Sequence, residues 1–281
     1  MINLYAKDIA GRLFEIEYKS FVFSGGEPHI EIDVDKVRYK RLVISYASKR
    51  TDDIVILLAL VHALKAAKVA GIDLFIPYFP GARQDRQENG WLFTVQMYAD
   101  IINSCGFRYV HVLDPHSYVT PALIRNCIVH NITSLIDPVI KIHNINGLIS
   151  PDAGALKRTM DVAKYSKIDH VICASKNRDP ITGALSGFTL PEIKENTNYL
   201  VVDDICDGGG TFLGLAKEFY EQSITTSSIS LWVTHGIFSK GITELEERYK
   251  YIYTTDSLPQ LYATNNKFRI LNLSLESMVS I

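Results

Sequence analysis

The chain has 281 residues, of which 47% are hydrophobic and 21% charged, with a formal net charge of -2 and a pI near 6.4. That is enough apolar material for one large or two ordinary globular cores, and it excludes the basic footprint of a non-specific nucleic-acid binder. The four cysteines, Cys105, Cys127, Cys173 and Cys206, stand singly and lack the close pairing of a zinc knuckle or a secreted disulfide framework, so a reducing, cytoplasmic location is expected.

The opening stretch "MINLYAKDIAGRLFEIEYK" carries Asp8, Glu15 and Glu17 and no apolar core, which reads against a secretory leader. In "DDIVILLALVHALKAAKVAG" the residues Ile54, Leu57, Leu58, Val61 and Leu64 recur at helical spacing. Asp52 and Asp53 suit the first turn, and Gly71 reads as the stop. His62, Lys65 and Lys68 interrupt this run, so it is a buried helix of a soluble protein and no membrane partner is expected. "IDLFIPYFP" follows as a short buried strand ended by prolines. The alternation repeats: helical "LFTVQMYADIINSCG" and strand "RYVHVLD", then helical "AGALKRTMDVAKYS" and strand "HVICAS". Strand "YLVVDD", helix "TFLGLAKEFYEQ" and strand "SISLWVTHG" close the series. Strands alternating with helices of this length predict an α/β protein with doubly wound parallel sheets. Pro138 and the asparagines of "SLIDPVIKIHNINGLISPDAG" interrupt the periodicity, which places a boundary near Asp137. Two domains are expected, residues 1–136 and 137–281, with the last ~15 residues as candidates to pack back on the first.

Ligands of such sheets bind outside the carboxyl ends of the strands. At one of these ends stands "VVDDICDGGGTF", residues 201–212. Gly208, Gly209 and Gly210 precede a helix whose face carries Phe212, Leu215, Ala216 and Phe219, with Thr211 placed to cap its start. Bare backbone N–H groups there converge on an anion, and the helix dipole favours it. Asp203 and Asp204, at the strand end, are acceptors suited to a vicinal pair of sugar hydroxyls, with Asp207 between them and the glycines. Carboxylates for hydroxyls beside glycines for phosphate describe a site for a ribose phosphate.

"VVDDICDGGGT" resembles the binding signature of phosphoribosyltransferases and of ribose-phosphate diphosphokinases, the phosphoribosyl diphosphate synthetases. Other segments select the synthetases. "PYFPGARQDRQ" (77–87) is similar to their ATP-binding stretch, "LDPH" (113–116) to their metal-binding histidine segment and "SPDAGALKR" (150–158) to a second metal and sugar segment. "FSGGEPHI" (23–30) resembles the loop by which a neighbouring subunit contacts adenine, and "THGIFS" (234–239) a late motif. These matches run in family order from about residue 20 onward, and a transferase acting without ATP would leave the ATP-type segments unexplained.

The resemblance implies two domains of phosphoribosyltransferase-like type and transfer of the β,γ-diphosphoryl group of ATP to the anomeric hydroxyl of ribose 5-phosphate. It places Phe23, Glu27, Arg83, Gln84, Arg86 and His116 around ATP, with the arginines suited to forked phosphate contacts. It implies Mg2+ as cofactor, held at His116 and Asp152. "ASKNRDPITGALSGF" (174–188) looks like the family's catalytic loop, and Lys176 and Arg178 occupy the positions of its two cations. The ribose phosphate falls to Asp203, Asp204, Asp207, Gly208, Gly209, Gly210 and Thr211. A homo-oligomer, dimer or hexamer, is the implied assembly.

The chain departs from the family pattern at Gly25, where an aspartate is usual, and at Gly208, where a threonine is usual. Loss of the threonine hydroxyl removes a hydrogen bond worth about 1 kcal/mol and opens room for a larger 5-substituent. Two alternatives therefore accompany the main expectation: the same transfer to a substituted ribose phosphate such as ADP-ribose, and a non-catalytic regulatory homologue.

Overall fold

The computed structural model of the chain describes residues 2–8, 10–50, 52–87, 90, 92–178, 185–222 and 226–279, except for the side chains at 176–178 and 185–186. Two compact units result: Met1–His130 with Ser257–Pro259 and Leu273–Ile281, and Asn131–Asp256 with Gln260–Asn272.

The first unit contains β1 (Ile2–Lys7), β2 (Leu13–Glu15), β3 (Lys19–Val22), β4 (Pro28–Glu31), α1 (Val34–Val37), β5 (Arg41–Tyr46), α2 (Asp53–Ala66), β6 (Gly71–Phe75), α3 (Thr94–Ser104), β7 (Val110–Leu113), α4 (Val119–Leu123) and β8 (Cys127–His130). Its main sheet has the order β2-β1-β5-β6-β7-β8. The pairs from β5 to β8 are parallel, because each connection passes through a helix, while β1 and β2 extend one edge antiparallel. Helix α2 forms because Ile54, Leu57, Leu60, Val61 and Leu64 all bury on one side. Gly71 does not stop it: the helix ends at Ala66, Lys68 takes the left-handed turn at φ 59°, and Gly71 already begins β6. Strands β3 and β4 form a separate antiparallel hairpin.

The second unit contains α5 (Thr133–Ile142), β9 (Gly147–Ser150), α6 (Leu156–Ser166), β10 (Val171–Cys173), β11 (Ser175–Arg178), β12 (Leu185–Thr189), β13 (Asn198–Cys206), α7 (Gly210–Gln222), β14 (Ser228–Gly236), α8 (Thr243–Arg248), β15 (Ile252–Thr255) and β16 (Phe268–Leu271). The sheet β10-β9-β13-β14-β15-β16 is parallel throughout. Its strands read as continuous apolar runs because both faces are covered; Tyr199, Leu200, Val201 and Val202 are all fully buried. Pro138 does not interrupt the chain as the sequence suggests, since α5 runs through it. One missing N–H is tolerated there because Ile136, Val139 and Ile140 anchor the helix in the core. The final helix, α9 (Leu275–Met278), returns to the first unit, where the Lys7 ammonium donates to the Val279 carbonyl at 2.8 Å and the Leu13 N–H to Glu276 Oε1 at 3.1 Å.

Candidate active site

In the second unit, β13 and β14 run side by side and end together, with Ile205 opposite His235 and Cys206 opposite Gly236. The loop between β13 and α7 therefore emerges at the carboxyl end of the central strands, where α/β sheets bind ligands. The Cys206 carbonyl accepts from the Ile237 and Phe238 N–H groups at 2.8 and 3.1 Å. The Asp207 carbonyl accepts from the Ser239 N–H at 3.0 Å, and its carboxylate from the Ser239 hydroxyl at 2.7 Å. These bonds fix the loop to the "THGIFS" turn. Helix α7 starts at Gly210, and the first helical bond runs from the Leu213 N–H to the Gly209 carbonyl at 2.9 Å. Thr211 thus lies inside the first turn and is not the cap. Gly209 holds that position at φ 77°, a left-handed backbone that the glycine run supplies without strain. The N–H groups of Gly208, Gly210 and Thr211 have no backbone acceptor among the described residues, the state of donors at a helix start where an anion can bind.

At the end of the same strand, Arg158 of α6 stands 3.6 Å from Asp203 Oδ1 and 3.6 Å from Asp204 Oδ1. All three side chains are largely buried, at 12%, 15% and 6% exposure. Two carboxylates share one cation. Burial, and then the neighbouring Asp204, push the Asp203 carboxyl well above the usual carboxylate range, with Arg158 opposing. Two buried carboxyl groups beside one guanidinium can exchange hydrogen bonds with hydroxyl groups. Burial pushes the Cys206 thiol up to about 12, so it stays protonated and is not a nucleophile.

Asp152 follows β9 in this unit, and its Oδ1 accepts the Ala155 N–H at 3.0 Å. A partly exposed, oriented carboxylate is the oxygen donor that magnesium takes, so Asp152 fits that ion. Lys176 and Arg178 lie on β11, which pairs antiparallel with β12. Their side chains are outside the described residues. Among the described residues no group of three or more histidine, cysteine, aspartate or glutamate side chains could hold a metal by itself.

The first unit holds the segments expected around ATP. Gly81 has φ 73°, and a Cβ there would come within 3.0 Å of Thr94 Cγ2 and 3.1 Å of the Val95 nitrogen. Only glycine lets this loop lie on the start of α3. The Gln84 N–H donates to the Gly81 carbonyl at 2.8 Å, which turns the chain so that Arg83, Gln84 and Arg86 are all exposed. On the β3–β4 hairpin, Phe21, Phe23 and His29 form an exposed aromatic cluster with centroids 4.9 to 5.5 Å apart. A Cβ at Gly25 would come within 2.5 Å of Glu27 Oε2, so the Glu27 carboxylate already fills the space beside the missing aspartate. His116 is exposed, after the buried Asp114 at a strained φ of 40°. His116 and the Arg83–Arg86 loop belong to the first unit, and Asp152, Arg158 and Asp203–Thr211 to the second. Sequence reasoning missed Arg158: it sits in the quoted "SPDAGALKR", but nothing in its spacing shows which carboxylates it faces. It also missed Lys240, whose side chain lies over Gly208.

The fold is that of the α/β class to which phosphoribosyl diphosphate synthetases belong. Residues 6–106 match the model of the N-terminal domain of ribose phosphate pyrophosphokinase. The ribose-phosphate pyrophosphokinase of Campylobacter jejuni is 30% identical over 223 residues, covering 77% of this chain and 71% of the relative. That of Mycoplasma genitalium is 27% identical over 267 residues, covering 90% and 79%. The phosphoribosylpyrophosphate synthetase of Mycobacterium smegmatis superposes with a TM-score of 0.79 at 19% identity, over 92% of this chain and 86% of the other, which establishes the fold. This chain belongs to the ribose-phosphate pyrophosphokinase family.

Proposed function

We infer that the chain transfers the β,γ-diphosphoryl group of ATP to the anomeric hydroxyl of ribose 5-phosphate. The anomeric oxygen forms a bond to the β-phosphorus and loses its proton. The bond from the β-phosphorus to the oxygen bridging it to the α-phosphorus breaks, and that oxygen leaves on AMP. The observation that carries the reading is the pairing, at one strand end, of the Arg158–Asp203–Asp204 cluster with the Gly208–Thr211 cradle. The carboxylates accept the ribose hydroxyls, and the backbone N–H groups hold the 5-phosphate.

Transfer of this kind needs placement and charge neutralisation more than a covalent nucleophile. In this reading Arg83 and Arg86 fork onto the triphosphate, Gln84 hydrogen-bonds the nucleotide, and Phe23 and Glu27 contact adenine. Lys176 and Arg178 offset charge on the diphosphoryl group as it moves, a stabilisation of several kcal/mol in total. Asp152 in the second unit offers an oxygen and His116 in the first a nitrogen to magnesium, which when bound would neutralise triphosphate charge. A homo-oligomeric, cytoplasmic enzyme accords with the family. No helix of the described residues is long and apolar enough to cross a membrane.

Transfer to a ribose phosphate with a larger 5-substituent is the second reading, motivated by Gly208. The Lys240 stem borders the room that Gly208 was expected to open, 3.4 to 3.6 Å from where a Cβ would stand. Chromatography of AMP release from ATP and magnesium, across ribose 5-phosphate, ribose and ADP-ribose, tests the reading. Release that depends on ribose 5-phosphate supports it; absence of release with every acceptor, and indifference to Lys176→Ala, identifies a regulatory homologue instead.

A further inference from the structure

Lys240 follows the turn that is bonded to the β13–α7 loop, and its stem lies across Gly208. A Cβ at Gly208 would stand 3.4 Å from Lys240 Cδ, 3.5 Å from Cε and 3.6 Å from Cγ. The ammonium nitrogen, one C–N bond of about 1.5 Å further on, is therefore within about 5 Å of that point. The position is set by backbone: the Ser239 N–H and hydroxyl both bind Asp207, and the Gly241 N–H closes the turn on the Phe238 carbonyl at 2.9 Å. Lys240 is exposed and makes no ion pair among the described residues. An apolar stem packed on a bare glycine with a free charged end is the arrangement of a lysine that reaches out to a ligand or to water.

The local charge argues for a ligand. Arg158 faces Asp203 and Asp204, and Asp207 stands between them and the glycines. A phosphate monoester carries nearly two negative charges at neutral pH, so a full positive charge beside the cradle strengthens its hold. Backbone N–H groups supply partial charges only.

We propose that Lys240 is a specificity-determining residue of the ribose-phosphate site, contacting the terminal 5-phosphate from the side left bare by Gly208. Gly208 and Lys240 act as a pair: the stem lies against the bare glycine, and the ammonium replaces the absent hydroxyl with a full charge. Such a cation favours a dianionic terminal phosphate over a singly charged diester or an unphosphorylated sugar. This inference rests on the reading of the glycine run as a ribose-phosphate cradle.

The test is steady-state kinetics of the full chain, wild type beside Lys240→Met and Lys240→Arg, with melting curves to confirm folding. Methionine keeps the stem packing and removes the charge. Lys240→Met is expected to raise the KM for ribose 5-phosphate about tenfold, the low end for a charged hydrogen bond that stays partly in water. Its kcat and KM for ATP should stay within about twofold of wild type, and Lys240→Arg should restore most of the loss. An unchanged KM for ribose 5-phosphate in Lys240→Met, with wild-type turnover intact, overturns the role of the lysine alone. Absence of wild-type turnover with ribose 5-phosphate overturns the cradle reading and this inference with it.

Discussion

Arg158 Nη1 stands 3.6 Å from both Asp203 and Asp204, so a single guanidinium restrains two buried carboxylates. Burial and the partner carboxylate raise the Asp203 pKa, and Arg158 acts against them. A raised folded-state pKa means that the charged form is penalised, so the acceptor form of Asp203 is lost as pH falls through that value. Replacing Arg158 by glutamine removes the opposing charge and shifts the acid limb of the kcat/KM profile for ribose 5-phosphate to higher pH. A profile with an unmoved acid limb would show that the cluster does not govern sugar binding.

Lys176→Ala and Asp204→Ala separate two roles. The first should lower kcat strongly, by the two to three orders of magnitude that loss of a transition-state cation produces, with little change in ATP affinity. The second should chiefly raise the KM for ribose 5-phosphate. Equal losses of both constants in both variants would contradict the division.

Arg108 binds Asp73 through two bonds, 2.9 and 2.6 Å, with Asp73 almost fully buried on β6. Arg108→Met strands that carboxylate and should cost about 3 kcal/mol or more, whereas Asp73→Leu together with Arg108→Met should recover much of it. Thermal melts of the two single variants and the double variant supply the cycle; additive losses would show that the pair is not coupled.

His111 and His130 stack with their rings 5.3 Å apart and their nitrogens 3.0 Å apart on neighbouring strands. Burial, then the partner imidazole, lower the His111 pKa to about 4. The fold therefore holds it neutral, while the unfolded chain takes up a proton below its ordinary 6.5. Stability should be full above pH 6.5 and decline as pH falls toward 4, below which this group adds no further loss. Melting temperatures across that window test it, and His111→Phe should flatten the slope.

Much of the architecture was legible because its signals are local. Ile54, Leu57, Val61 and Leu64 state one helical face, and all four are buried. The runs before Asp114 and after Asn198 state strands covered on both sides. The β3–β4 hairpin carried no such periodicity, since Lys19 to Val22 are all exposed. The helix through Pro138 was misread because tertiary anchoring outweighs one lost hydrogen bond. At the site, the glycine run and the acids could be read from spacing. Arg158 and Lys240 could not, because each lies far along the chain from Asp203 or Gly208 and only the fold brings it to its partner. Thr211 lost its place as cap because Gly209 reaches the left-handed conformation more cheaply and starts the helix earlier.

The central claim is that two phosphoryl groups move together onto the ribose. Phosphorus NMR of the chain with ATP, magnesium and ribose 5-phosphate tests it most directly. The account predicts AMP together with a new sugar diphosphate whose two phosphorus signals couple to each other. ADP with a ribose 1,5-bisphosphate, or ATP left untouched, would contradict it.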